Sequence, residues 1–294
     1  MKGQRKGDTT MRRLAIAITL ILAATAAFAH DDYDHRSSAE ECSERNIHFG
    51  DEERTYVKKE VIDASSLRSL KAVVTNAPIS FEGGNAAGYT ITVCKAATSP
   101  ADLEAIRVSL AGNELRSEGP DETRSRRWTV MYHVRTPRGA DIDVEAENGP
   151  VSIHDVDGTV MARAQNGPLS LNNVDGTVDA ATTNGPISIT GGSGTMKVKA
   201  SNGPLSVKLD GAGWNGTLDA STKNGPLSVK VPRGFGSGVV IESRGHGPIS
   251  CKAEQCDRGW RSDDDGEPRR IELGSGPTNV RLSTVNGPVT VKDE

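Results

Sequence analysis

Asn166-Gly167-Pro168-Leu169-Ser170-Leu171 is the stretch that decides how this chain is read, because the chain keeps writing it. It returns as NGPVSI from Asn148, NGPISI from Asn184, NGPLSV from Asn202 and again from Asn224, HGPISC from His246 and NGPVTV from Asn286. The step is 18 residues from Asn148 through Asn202, then 22 to Asn224 and 22 to His246. A unit such as NGPLSLNNVDGTVDAATT (166–183) holds two short strands and two turns, one at Asn-Gly-Pro and one at Asp-Gly-Thr. Period-two alternation turns Val151 and Ile153 inward and Pro150 and Ser152 outward. The same assignment holds for Leu169/Leu171, Ile187/Ile189, Leu205/Val207 and Leu227/Val229. In the second strand Val160, Ala162 and Ala164, then Val178, Ala180 and Thr182, take the inward slots.

One such unit cannot fold alone. Each ordered residue costs about 1–2 kcal/mol of backbone entropy, and a buried Val or Leu returns only about 1.5–3 kcal/mol. Identical units stacked one strand spacing apart, about 4.8 Å, share a core and bring equivalent residues above one another. The expected fold is therefore all-β: a parallel β-solenoid of 18–22-residue coils, preceded by an N-terminal β portion. The competing reading, a sandwich or barrel of Asn-Gly hairpins, places a proline without an N–H where each return strand would begin. At a stacked corner the same proline is tolerated, and it biases the preceding glycine toward an extended conformation.

Stacking makes Asn148, Asn166, Asn184, Asn202, Asn224 and Asn286 a corner ladder, each amide placed to donate to the next. At the other corner Asp157, Asp175, Ser193, Asn215 and Ser237 each precede a glycine. Insertions at 209–217 and 231–238 lengthen that second turn. Upstream, 70–84 is a degenerate copy with Leu70, Ala72, Val74, Ile79 and Phe81 inward. GYTITVC, AIRVSL and WTVMYHV read as further strands, and Ser99-Pro-Ala-Asp opens one short helix. The charged run from Cys251 to Leu273 breaks the period. Lys292, Asp293 and Glu294 follow the last strand, where charge is expected to discourage end-to-end pairing.

Residues 1–29 read as a secretory signal peptide: Arg12 and Arg13, an apolar run from Leu14, then Ala27-Phe28-Ala29 before His30. The run is too short for a transmembrane anchor, and acidic residues follow it at once. The expected organisation is this leader, a polar and partly mobile segment 30–66, a β portion 67–135 that caps the solenoid, and repeats over 136–294. Removing the leader takes the formal charge from −4 to −8, which is not a nucleic-acid binder's balance. Cys42, Cys94, Cys251 and Cys256 suit an oxidising compartment and allow three pairings, of which Cys42–Cys94 with Cys251–Cys256 is preferred. A single C-x4-C lacks zinc spacing. The 32 glycines and 4% aromatics fit a chain that turns often and packs a thin core.

The run from Val134 to Ile153, VRTPRGADIDVEAENGPVSI, followed by Asp-Gly-Thr-Val and another Asn-Gly-Pro, resembles the bacterial adhesin-like β-strand-repeat domain of unknown function. The resemblance covers about residues 68–294 and implies an exported, solenoid-like protein with no established catalytic residues. This chain places Pro where the family more commonly has Asn-Gly-Asp or Asn-Gly-x.

Asp143, Glu145, Asp155, Asp157 and Asp175 are the carboxylates a glycan-cleaving β-helix enzyme would use, but the aspartates before glycine read more simply as turns. Gly191-Gly-Ser-Gly194 lacks the following Asp of the calcium-binding nonapeptide. No Gly-x-Ser-x-Gly elbow occurs, and GFGSG (234–238) misses the nucleotide-binding patterns. His133, His154 and His246 fall at unrelated phases. His30 and His35 sit in an acidic tail. Trp128 reads as core, Trp214 and Trp260 as loop aromatics that could stack on a ligand. The remaining surface feature is an outward column, Ser152, Ser170, Ser188, Ser206, Ser228, Ser250 and Thr290, flanked by prolines. The expectation is an exported, non-enzymatic interaction or structural module with no catalytic residue, cofactor or metal, whose partner is a glycan, an envelope component or another protein. A glycan-active enzyme and a self-assembling scaffold are the alternatives.

Overall fold

The computed structural model describes Cys42, Ile47, Phe49 and residues 55–123, 127–211, 214–245, 247–254, 256 and 269–294. The leader, His30, His35, most of 30–54, His246 and Trp260 lie outside the described residues. Six strands come first: β1 (Tyr56–Ala64), β2 (Ser69–Asn76), β3 (Ile79–Ala97), β4 (Arg107–Ala111), β5 (Glu114–Glu118) and β6 (Trp128–Pro137). The Asn-Gly-Pro corner then joins a longer strand to a shorter one, repeat by repeat. These are β7 (Asp141–Asn148) to β8 (Val151–His154), β9 (Thr159–Asn166) to β10 (Leu169–Asn172), β11 (Thr177–Asn184) to β12 (Ile187–Thr190), β13 (Gly194–Asn202) to β14 (Leu205–Lys208), and β15 (Gly216–Asn224) to β16 (Leu227–Val231). The chain continues through β17 (Gly238–Ser243), β18 (Ile249–Cys251), β19 (Arg269–Leu273), β20 (Thr278–Asn286) and β21 (Val289–Asp293).

Two sheets result. The short-strand sheet runs β1-β3-β8-β10-β12-β14-β16-β21-β18 with β6 beside β3, and the long-strand sheet runs β19-β17-β20-β15-β13-β11-β9-β7-β2-β5-β4. The repeats pair parallel and in register: Leu169 lies between Val151 and Ile187, and Val178 between Val160 and Met196. Each repeat thus occupies one level of both sheets. The inward residues are buried in one core cluster, to which the long strands give Ala162, Ala180 and Ala220 and the short strands the larger Leu169, Ile187 and Leu227. Trp214 joins that core at 3% exposure, so it is not the exposed stacking platform its loop position suggested.

Chain order is not spatial order at either end. β5 lies outside β2, and β6 lies beside Ile79–Gly84 of β3, although both follow in the chain. At the far end β20 sits between β15 and β17, and β21 between β16 and β18. Lys292 and Asp293 therefore do not guard an outer edge as expected, because their strand is paired on both sides. The cause is the insertion at 232–237. Six residues reach about 20 Å when extended, ample to step over two strand spacings of about 4.8 Å each. Of the four outer strands, β1, β4 and β19 pair antiparallel with β3, β5 and β17, and β18 pairs parallel with β21. The antiparallel three are charged. They carry Lys58, Lys59, Arg107, Arg270 and Glu272, charges that blunt further pairing.

The corner shows why its residues are what they are. Asn148 Nδ2 donates to Asn76 Oδ1 at 2.8 Å, and Asn166, Asn184, Asn202, Asn224 and Asn286 each donate to the asparagine of the neighbouring level at 2.8–3.0 Å. The glycines stack more tightly still. A Cβ on Gly185 would be driven into the carbonyl oxygen of Gly167, one on Gly203 into that of Gly185, and one on Gly225 into that of Gly203. From inside, Thr182 and Thr222 hydroxyls donate to the carbonyls of Gly167 (3.4 Å) and Gly203 (2.9 Å), which satisfies these buried polar groups. At the opposite corner Asp155 and Asn173 adopt left-handed φ of 56° and 51°.

The short helix α1 (Pro100–Ala105) is capped by Ser99, whose Oγ accepts from the Asp102 amide at 3.1 Å. Disulfides join Cys42 to Cys94 on β3 and Cys251 to Cys256. Ile47 and Phe49 pack with Ala96. Among the described residues no helix is long and apolar enough to cross a membrane.

Tyr132 on β6 is 3% exposed and its hydroxyl has no well-formed hydrogen bond among the described residues. Burial pushes its pKa up to about 12, against a smaller lowering by the Ser117 side chain.

Two stability measurements test this architecture. In denaturant unfolding, Gly185→Ala is expected to cost about 3 kcal/mol or more, because the added methyl meets backbone. Asn184→Ala, which removes exposed ladder bonds, is expected to cost about 1 kcal/mol; equal effects would refute the close-approach account. For Tyr132 the raised pKa means the folded state holds its proton longer than the unfolded chain. Stability is full below about pH 10 and declines toward pH 12, by at most about 2–3 kcal/mol. Tyr132→Phe is expected to lack that alkaline component and to be no less stable at pH 7.

Candidate binding faces

The outer face of the short-strand sheet carries the hydroxyl column. In space it runs Ser80, Ser152, Ser170, Ser188, Ser206, Ser228, Thr290 and Ser250, each directly opposite its neighbour. Ser188 is exposed and the others are half-buried. Ser80 was overlooked in the sequence because its corner reads Asn-Ala-Pro, yet the alternation that turns Ile79 and Phe81 inward turns Ser80 outward. Prolines border the column on one side and a second polar column borders it on the other. That second column passes from Glu82 through His154, Asn172 and Thr190 to Lys208, Lys230 and Lys292.

Near one end of this face His133 on β6 meets Ser80 and Glu82 on β3. Ser80 Oγ lies 3.0 Å from His133 Nδ1, and His133 Nε2 lies 3.3 Å from Glu82 Oε2. The composition is that of a nucleophile relay. Here β3 and β6 each pair on both sides.

The outer face of the long-strand sheet holds a groove of about 680 Å³ that crosses β2, β7, β9, β11 and β13. One column of its lining is Thr75, Glu147, Gln165, Thr183 and Ser201, and the next is Val73, Glu145, Arg163, Ala181 and Lys199. Glu145 pairs with Lys71 at 3.0 Å, and that hydrogen bond raises the Lys71 pKa above its ordinary value. Arg163 pairs with Asp179 at 3.1 Å. Of these residues sequence reading singled out only Glu145, as a candidate carboxylate, because the identities in both columns change from level to level. Their position was nonetheless available, since Thr75, Glu147, Gln165, Thr183 and Ser201 each immediately precede a ladder asparagine.

The carboxylates considered for hydrolysis divide between the face and the far corner. Glu145 lines the groove. Asp157 takes Nε and Nη2 of Arg138 at 3.0 and 3.2 Å, Asp175 accepts from Ser193 Oγ at 2.8 Å, and Asp155 accepts from Asn173. These three hold one level to the next, and none lines the groove. Among the described residues no three His, Cys, Asp or Glu side chains are grouped to hold a metal ion.

No protein-family model and no curated protein matches the sequence. Among solved structures, the chain is similar to one from Clostridium sporogenes provisionally described as a cell adhesion protein, at 10% identity and a TM-score of 0.32, over 82% of this chain and 100% of that one. It is also similar to a provisionally described adhesin from Parabacteroides merdae, at 10% identity and a TM-score of 0.38, over 82% and 97%. A third, from Parabacteroides distasonis and provisionally described as an adhesin, shows 14% identity and a TM-score of 0.31 over 82% and 97%. Similarity at these TM-scores fixes neither a shared fold nor a shared role.

Proposed function

We propose that the two sheets are the walls of a parallel β-solenoid and that the protein is an exported, non-enzymatic, adhesin-like interaction module that binds an extended glycan lengthwise in the groove of the long-strand sheet. The observation that carries this reading is the column Thr75, Glu147, Gln165, Thr183 and Ser201, one hydrogen-bonding side chain per level along an open groove. A polyhydroxylated chain lying along the stack meets a donor or acceptor every 4.8 Å or so. Each such bond is worth only about 1 kcal/mol net, so affinity rests on repetition, which the stack supplies. Two disulfides and the secretory leader pattern support export. The ion-paired and ladder-bonded corner aspartates weigh against a glycan-cleaving enzyme. Charges on the end strands β1, β4 and β19 weigh against a scaffold that grows end to end through them.

The hydroxyl column supports a second reading, because it is continuous over the stack and flat enough to lie against an ordered surface. Replacing Gln165 and Thr183 with Trp fills the groove, whereas replacing Ser170 and Ser188 with Trp obstructs the other face. On a glycan array the groove variant is expected to lose at least about tenfold in affinity with unchanged circular dichroism, and the serine variant to bind as the parent does. The reverse pattern would transfer the function to the serine face, and binding of no glycan by the parent protein would sink the proposal.

A further inference from the structure

Lys208, Lys230, Lys292 and Lys252 form one column on the outer face of the short-strand sheet. They stand on β14, β16 and β21 and immediately after β18. The insertion of β21 builds this column by placing Lys292 between residues that precede it in the chain, and the Lys252 amide donates to Val291 at 2.8 Å to continue it. Neighbouring ammonium groups one strand spacing apart repel, and like charges directly opposite one another weaken a sheet. Other levels avoid the problem, since Asn172 and Thr190 fill the same slot without charge. Lys208 has compensation from Glu294 at 2.6 Å and Asp210 at 3.7 Å. Asp293 is engaged by the Glu254 amide at 3.2 Å, and the exposed Glu254 follows Lys252 along the chain. Lys230, Lys292 and Lys252 have no ion-pair partner among the described residues.

Each of these three lysines follows a hydroxyl on the same face, Ser228, Thr290 and Ser250, by two residues. Every level therefore offers a hydroxyl donor and an ammonium group about 7 Å apart along the strand, repeated at the strand spacing. We propose that this strip is a second binding site, independent of the groove on the other sheet, and that it takes a linear acidic glycan carrying a carboxylate on each unit. Ammonium groups pair with the carboxylates, and the hydroxyls add hydrogen bonds to the same chain. The molecule carries a net charge of −4, so a polyanion is drawn to this strip as a local exception rather than to the surface at large. The strip's facing residues are lysine, serine, threonine and proline, with no stacking platform for bases among the described residues, which favours a glycan over single-stranded nucleic acid.

The test measures binding of the full chain to polygalacturonate, with dextran and single-stranded DNA as controls. The expected result is binding to polygalacturonate that weakens steeply between about 50 and 200 mM salt, with no binding to dextran through this face. Lys230→Gln, Lys292→Gln and Lys252→Gln combined should weaken polygalacturonate binding at least about tenfold while leaving the thermal midpoint equal or higher, because repulsion has been removed. Lys292→Glu should raise the midpoint and still lower affinity, and the groove substitutions Gln165→Trp and Thr183→Trp should leave polygalacturonate binding intact. No polygalacturonate binding at low salt, binding unchanged in the triple variant, or loss only with the groove substitutions would overturn the proposal. Tighter binding of DNA than of polygalacturonate of equal charge would overturn the choice of ligand.

Discussion

Parallel strands stacked in register hold equivalent backbone atoms about 4.8 Å apart, and the Asn-Gly-Pro corner is where that distance leaves least room. The chain turns there without leaving the stack, so each glycine Cα rests against the carbonyl of the glycine on the next level. Within the stack, from Gly167 to Gly225, hydrogen is the only side chain that fits, and Ala77 takes the slot only at the first level. The neighbouring residues serve the same contact. Asparagine binds its counterpart one level away. The proline carbonyl accepts from the preceding level, as Pro168 does from Val151 at 2.9 Å, and an inward threonine donates to the glycine carbonyl where one is present. A glycine chosen for conformational freedom would show positive φ throughout, but among these corners only Gly149 does, at 138°. Close approach, not backbone freedom, selects it.

Because the corners and the inward slots are constrained, variation is pushed to the outward slots. The two faces use that freedom differently. On the short-strand sheet the slot beside proline is almost invariably serine, which gives a monotonous strip. On the long-strand sheet the slot before each asparagine holds Thr, Glu, Gln, Thr, Ser, Lys and Val in turn. A monotonous strip suits a repetitive counterpart, and a varied one can discriminate along its length. Both stand on the same scaffold without disturbing it, since an outward substitution touches neither ladder nor core.

Local features of the fold were legible from residues because local rules decide them. Alternation identified Leu169 and Leu171 as core, and the repeat step placed Asn166 opposite Asn148 and Asn184. Ordering of levels was not legible, for the same reason that repeats are easy to find. Units that resemble one another can pair with one another equally well, so nothing in NGPVTV says that it belongs beneath HGPISC rather than above it. Phe235 and Trp214, both buried, sit in insertions that lack the repeat pattern and read as exposed loops. The groove depends on how the sheet surface is shaped across five strands, which no single strand encodes. The meeting of Ser80, Glu82 and His133 depends on β6 returning beside β3, a contact invisible to any local window.

The inserted level also makes the last strands of the chain a structural support for strands that precede them. From β7 to β16 the levels follow chain order, each strand pairing with the edge of the level before it. β17 and β18 depart from that order, for β20 and β21 come later in the chain although they lie between. Without Val289 beside Leu227 on one side and Ile249 on the other, the upper level has nothing to rest on. The stack is closed in the manner of an arch, by a piece set into a gap that the pieces on both sides already define.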